Sequence, residues 1–257
     1  MDKFKYTLLT VLFTFPLSAQ DAPRVIAHRG YWQTSGSAQN SIRSFERAAE
    51  IGVYGSEFDV QMTADSVLVL SHDHIIRGIN IHESPYSYCK DLKLSNGECV
   101  PTLREFLEMA RRSNSEIKLV FELKRQDTPE LSREAARRSI EMIREKKLVY
   151  RTEFITFSID AGKEFIRLAP EIPVYYLNGD LSPRQLKELG FAGLDYHYDV
   201  MRKNPKWFKE AKELSLGINV WTLNDPAIIK EMVEQGADFV TTDVPSDALI
   251  LLNNIEK

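Results

Sequence analysis

Short β-prone runs alternate with longer amphipathic stretches along nearly the whole chain, a pattern that restricts it to repeated βα units around a parallel sheet. The runs fall at residues 25–27, 55–60, 67–70, 118–123, 154–157, 174–177, 192–196, 218–221 and 239–241. Between the second and third lies a polar stretch over 63–66, too short for a crossover helix, so those two form a hairpin. A turn centred on Asp65 makes the numbers of facing residues sum to about 130, which sets His72 opposite Phe58 and beside Glu57 and Asp59. With the returning arm set aside, eight strands remain, the number that closes an α/β barrel of the (β/α)8, or TIM, type.

Helices fit between the strands. Residues 41–51 carry Ile42, Phe45, Ala48 and Ala49 on one stripe; residues 102–111 carry Leu103, Phe106, Leu107 and Ala110; residues 129–145 carry Leu131, Ala135, Ile140 and Ile143. These stripes pack on a barrel and carry no chemistry. Residues 74–101 have turn residues and little periodicity, and read as a small, rather polar insertion at the barrel rim.

At 257 residues and 43% hydrophobic, the chain can bury one sizeable core, which suits one barrel domain over residues 20–257. Its net charge of −4 excludes a global basic field for nucleic acid or an anionic membrane, so any bound anion must be held locally. Lys3 and Lys5 precede an apolar run over 6–15 and a small-residue site at Ser18 and Ala19. That pattern is a cleaved signal peptide over 1–19, so the protein is expected to be exported, periplasmic or secreted, without a stable membrane anchor. Cys89 and Cys99 would share an oxidising compartment. A bridge would gain roughly 2–3 kcal/mol from loop closure, and two free thiols are the alternative.

Three strand ends carry ionisable groups. The first ends in Ala27-His28-Arg29-Gly30, the second holds Glu57-Phe58-Asp59, and the third runs Val120-Phe121-Glu122-Leu123-Lys124. Alternation puts Glu57 and Asp59 on one strand face. Inside a closed barrel two ionised groups are costly unless a cation neutralises them, the alternative being an outward solvated pair. With Glu122 they form a hard oxygen set suited to one divalent cation, Ca2+ or Mg2+. His28 and His72 reach the same mouth, an acid/base pair for a phosphodiester, while Arg29 and Lys124 meet its non-bridging oxygens. Trp221 ends its strand at the mouth as an apolar wall for the substrate or as core packing, and Tyr31, Trp32, Tyr86 and Tyr88 are candidates for the leaving-group side. His74, His82 and His197 carry no assignment.

In order along the chain, His28-Arg29-Gly30, Asn40, Glu57-x-Asp59, Ser71-His72-Asp73, Glu122-x-Lys124, Phe157-Ser158, Trp221-Thr222-Leu223-Asn224 and Thr242-Asp243-x-Pro245 resemble the glycerophosphodiester phosphodiesterase family over residues 24–247. The resemblance implies a barrel with divalent metal on Glu57, Asp59 and Glu122, catalytic His28 and His72, Asn40 in substrate binding, and release of glycerol 3-phosphate plus an alcohol. Ser158 would stand behind the site. The family usually reads Pro-Glu-Asn before the first helix, whereas this chain has Ala38-Gln39-Asn40. Gln39 can ligate or hydrogen-bond through its amide oxygen but brings no charge. Two other readings remain: a phospholipase of C or D type on lysophospholipid, phosphatidylinositol or sphingomyelin, and a non-catalytic barrel holding polyol phosphates.

Overall fold

A computed structural model describes residues 23–113 and 115–255. The expected signal peptide over 1–19 lies outside them. The strands are β1 (Arg24–Ala27), β2 (Gly55–Met62), β3 (Leu68–Leu70), β4 (Ile75–Ile76), β5 (Ile79–Asn80), β6 (Lys118–Leu123), β7 (Thr152–Thr156), β8 (Val174–Tyr176), β9 (Gly193–His197), β10 (Gly217–Trp221) and β11 (Phe239–Thr242). The helices are α1 (Ile42–Glu50), α2 (Leu103–Arg112), α3 (Pro129–Glu145), α4 (Ile159–Leu168), α5 (Pro183–Glu188), α6 (Tyr198–Lys203), α7 (Lys206–Glu213), α8 (Pro226–Gln235) and α9 (Pro245–Ile255).

The strands β1, β2, β6, β7, β8, β9, β10 and β11 pair in parallel, and β1 closes the ring by pairing with both β2 and β11. This is the expected barrel. β3 folds back antiparallel on the end of β2, with Val60 opposite Leu70, Gln61 opposite Val69 and Met62 opposite Leu68. Ser71 N donates to Asp59 O at 3.1 Å, so the same register runs on to the residue before His72.

Period-2 alternation sorts the strand residues into two cores. One face of each strand packs outward against the helices: Phe58, Phe106 and Phe121 meet there, and Phe154 stacks on Phe165 with ring centroids 3.8 Å apart. The other face fills the barrel with Ile26, Val120, Ile155, Leu177 and Phe239. Gly193 and Gly217 leave room there for the Tyr175 ring, since a Cβ on Gly193 would stand 2.2 Å from Gly217 O and 2.6 Å from Tyr175 Cε1.

Helix starts follow side-chain capping. Ser41 caps α1 by accepting from Ser44 N, and Thr102 with Glu105 forms a capping box on α2. Ser158 caps α4, its hydroxyl accepting from Ala161 N at 3.2 Å. The hydroxyl therefore serves as the helix cap.

The rim insertion has a small core of its own, in which Cys89 packs with Val69, Ile81 and Val100. Both thiols are free, Cys89 buried and Cys99 exposed beside Lys93 Nζ, so the bridge is not formed. Tyr86 packs against this core and Tyr88 is exposed. Asn96 Nδ2 donates to Gly36 O, and Glu98 Oε2 accepts from Ile42 N at 3.0 Å. The insertion thereby anchors the loop that carries Gln39 and Asn40.

Candidate active site

At the carboxyl end of β1, the chain turns sharply because Arg29 and Gly30 both take positive φ, 55° and 76°. A Cβ on Gly30 would lie 2.4 Å from Ser44 Oγ, so only glycine lets α1 pack this close. The turn aims Arg29 N at Glu57 Oε2, 2.7 Å away, and places Arg29 Nε 3.6 Å from Asp59 Oδ2. Gln39 Oε1 accepts from Arg29 Nη1 at 2.8 Å. The amide that replaces the family's usual acid therefore holds Arg29 in place. Asn40, with φ 56°, donates through Nδ2 to Asp59 Oδ2 at 2.9 Å and accepts from Asp59 N at 3.0 Å. Its amide thereby fixes Asp59 through both of its polar atoms.

Parallel register then assembles the acids. Asp59 sits beside Glu122 across the β2–β6 pair, and Glu57 lies two residues earlier on the same face. One oxygen from each of Glu57, Asp59 and Glu122 falls within 4.8 Å of the others, all three residues being buried. Lys124 Nζ approaches Glu122 Oε1 at 2.7 Å and Asp59 Oδ1 at 3.3 Å, as ion pairs without good hydrogen-bond geometry. Glu57 Oε1 is buried without any hydrogen-bond partner.

Electrostatics explain what such a cluster lacks. Burial, followed by repulsion from its neighbours, raises the Glu57 carboxyl well above the ordinary range and pushes Glu122 to about 7. Burial also acts on Asp59, but Lys124, His72, Arg29 and the Asn40 amide outweigh it and leave Asp59 below its usual value. A buried oxygen without a donor, in a set made wholly of carboxylate oxygens, fits a hard divalent cation.

Two histidines flank the acids. His28 Nδ1 lies 2.8 Å from Asp243 Oδ1, which also accepts from Trp32 Nε1 at 3.1 Å, while Asn224 Nδ2 donates to Asp243 Oδ2 at 2.8 Å. Burial would raise Asp243, but these partners win and bring it down to about 2, so it stays an anion. His72 follows β3, with Nδ1 2.8 Å from Asp73 Oδ1. Burial is the largest influence on His72 and shifts it toward the neutral form.

A cavity of about 120 Å³ joins His28, Arg29, Glu57, His72, Glu122 and Lys124 with Trp221. Its apolar side is built by Ile155, Phe157, Leu177 and Trp221. The Trp221 ring meets Phe157 and His197 edge to face, and its Nε1 donates to Asp195 O at 2.9 Å. Trp221 thus lines the cavity and belongs to the barrel packing at once. Asp59 lies just behind the lining, among the acids.

Three further residues enter that the sequence reading gave no role. Asp243 orients His28; Asp195, buried with Oδ1 unpartnered, and Thr241 line the cavity floor. Asp195 interrupts an apolar strand as Glu122 does, the signal that identified Glu122. Asp243 directly follows the last residue of β11, at the carboxyl end of the strand that carries Thr241.

The chain matches the glycerophosphoryl diester phosphodiesterase family model over residues 28–247. A crystal structure of a glycerophosphodiester phosphodiesterase from Parabacteroides distasonis is 54% identical with a TM-score of 0.91, covering 93% of this chain and 100% of that one. A phosphodiesterase of Oleispira antarctica, solved in complex with the product sn-glycerol-3-phosphate, is 26% identical with a TM-score of 0.76, over 90% of this chain and 97% of that one. A glycerophosphodiester phosphodiesterase of Caldanaerobacter subterraneus is 25% identical over 89% of this chain and 97% of its own length. By its family match, its barrel and this acid-and-histidine mouth, the chain belongs to the glycerophosphoryl diester phosphodiesterase family.

Proposed function

We propose that the protein hydrolyses glycerophosphodiesters to glycerol 3-phosphate and an alcohol, with His28 and His72 exchanging protons on either side of the phosphate. The observation that carries this is the convergence of Glu57, Asp59 and Glu122 within 4.8 Å beside two histidines, each faced by an aspartate. A divalent cation, Ca2+ or Mg2+, held by those three carboxylates would withdraw charge from the non-bridging phosphate oxygens as a Lewis acid.

The chain's own residues do the rest. Asp243 stays ionised against His28 Nδ1, which fixes a hydrogen there and leaves Nε2 free to accept. His28 takes the proton of the attacking oxygen as that oxygen bonds to phosphorus; attack by water gives glycerol 3-phosphate directly, whereas attack by the substrate's glycerol hydroxyl gives a cyclic phosphate that water then opens to the same product. The P–O bond to the alcohol breaks, and His72 delivers a proton to the departing alkoxide. Arg29 and Lys124 bring positive charge to the phosphate.

A coupled assay for glycerol 3-phosphate released from glycerophosphocholine, run beside micellar lysophospholipid and sphingomyelin, tests this reading. Release from the deacylated diester supports it; turnover of lipid alone favours the phospholipase reading, and ion binding without turnover favours a binding barrel. Export rests on the leader-like residues 1–19, which lie outside the described residues. The mature N-terminus of protein from separated cell fractions tests that part. Among the described residues no helix is long and apolar enough to cross a membrane.

A further inference from the structure

A second groove, of about 440 Å³, runs outward from the catalytic cavity and shares His72, Lys124 and Phe157 with it. His28 lines the inner cavity but not this groove, so a group leaving the phosphate past His72 enters it directly. Its volume is within the ordinary range for small-molecule sites. The chemistry of its lining is one-sided. Besides Lys124 it holds Arg125, His74 and His82, with Gln61 and Asn178 as neutral polar groups, and among the described residues no carboxylate lines it. Carboxylates stand behind three of its side chains: Asp73 at His72, Asp127 at His82 Nδ1, 2.8 Å away, and Glu122 and Asp59 at Lys124.

The groove is also organised. His82 Nε2 lies 2.8 Å from Gln61 Oε1, whose Nε2 donates to His72 O at 3.0 Å, so His82 is tied to the segment that delivers His72. The His74 and His82 rings lie 5.6 Å apart. Arg125 is exposed and donates Nη2 to Phe157 O at 2.9 Å, which fixes its guanidinium at the rim with further donors available. A quaternary ammonium would seek a carboxylate or an aromatic cage, and Phe157 is the one benzene ring lining this groove among the described residues.

We infer that this groove is the leaving-group subsite and that it selects, through Arg125, an alcohol carrying an additional anionic group over a cationic one. The inference rests on the phosphodiesterase reading above and adds the class of its substrate. Three diesters separate the two: bis(glycerophospho)glycerol, whose leaving alcohol carries a second phosphodiester; glycerophosphoglycerol, whose leaving alcohol is neutral; and glycerophosphocholine. The expected order of kcat/KM is anionic, then neutral, then cationic, with the spread narrowing as salt is added. Arg125→Gln shrinks the ratio of the first substrate to the third about fivefold, the worth of one exposed charge contact. Equal kcat/KM for all three, or a substitution at Arg125 that leaves the ratio unchanged, overturns the inference while the phosphodiesterase reading stands. Failure to release glycerol 3-phosphate from any of them overturns both.

Discussion

His28 Nδ1 and Asp243 Oδ1 stand 2.8 Å apart although 215 positions separate them in the chain. Closure of the barrel brings them together, because β1 pairs with β11 and His28 N donates to Thr242 O at 2.9 Å. The first and last strands of the ring thus build the proposed base. Asp243→Asn keeps the shape but loses the anion, and should lower kcat by roughly 10²–10⁴. Calorimetric titration with Ca2+ or Mg2+ should show ion binding retained.

His28→Ala and His72→Ala should each cost roughly 10²–10⁴ in kcat on an alkyl diester. Their roles separate with a nitrophenyl leaving group, which needs no proton to depart. On that ester His72→Ala should recover most of its loss and His28→Ala should not. Steady-state kinetics on both substrates checks the assignment; equal recovery by the two variants reverses or removes it.

Proton and cation compete for the acids. An unfolded Glu122 releases its proton near 4.5, whereas the native group holds it until about 7, and Glu57 is raised likewise. Between those values the native state binds more protons than the unfolded one, so ion-free protein should lose stability as pH rises from about 5 to about 7. Asp59 is lowered, and its opposing effect falls at more acid pH. Saturating cation should flatten this slope, and its binding should release protons. Melting curves across that range, with chelator and with added ion, read both effects.

The interior of the barrel should be intolerant at Gly193. A methyl there meets the Gly217 carbonyl, which is backbone and cannot step aside. Gly193→Ala should cost roughly 1–3 kcal/mol, measured by urea unfolding, whereas Gly97→Ala meets only positive φ in open space and should cost less.

Much of this site was legible before any coordinates. Alternation placed Glu57, Asp59 and Glu122 inward, and the short gap around Asp65 set the hairpin register that runs from Met62 opposite Leu68 to Ser71 beside Asp59. Those features are local, so spacing carries them. Asp243 was not assigned a role because its partner is at the far end of the chain and no periodicity links the two. The local duties of Ser158 and Asn40 were not legible for another reason. A serine before a helix serves equally as a cap, and an asparagine at positive φ turns its amide inward, here onto Asp59. Whether Cys89 and Cys99 bridge depended on the insertion's own packing, which buries one and exposes the other.

The most direct measurement is release of glycerol 3-phosphate by chelated enzyme as Ca2+ or Mg2+ is added back, compared with Glu57→Gln. The account predicts negligible turnover without ion, full recovery at one ion bound per chain, and neither tight binding nor recovery in the variant. Turnover that survives chelation, or a Glu57→Gln enzyme that binds ion and works normally, would contradict it.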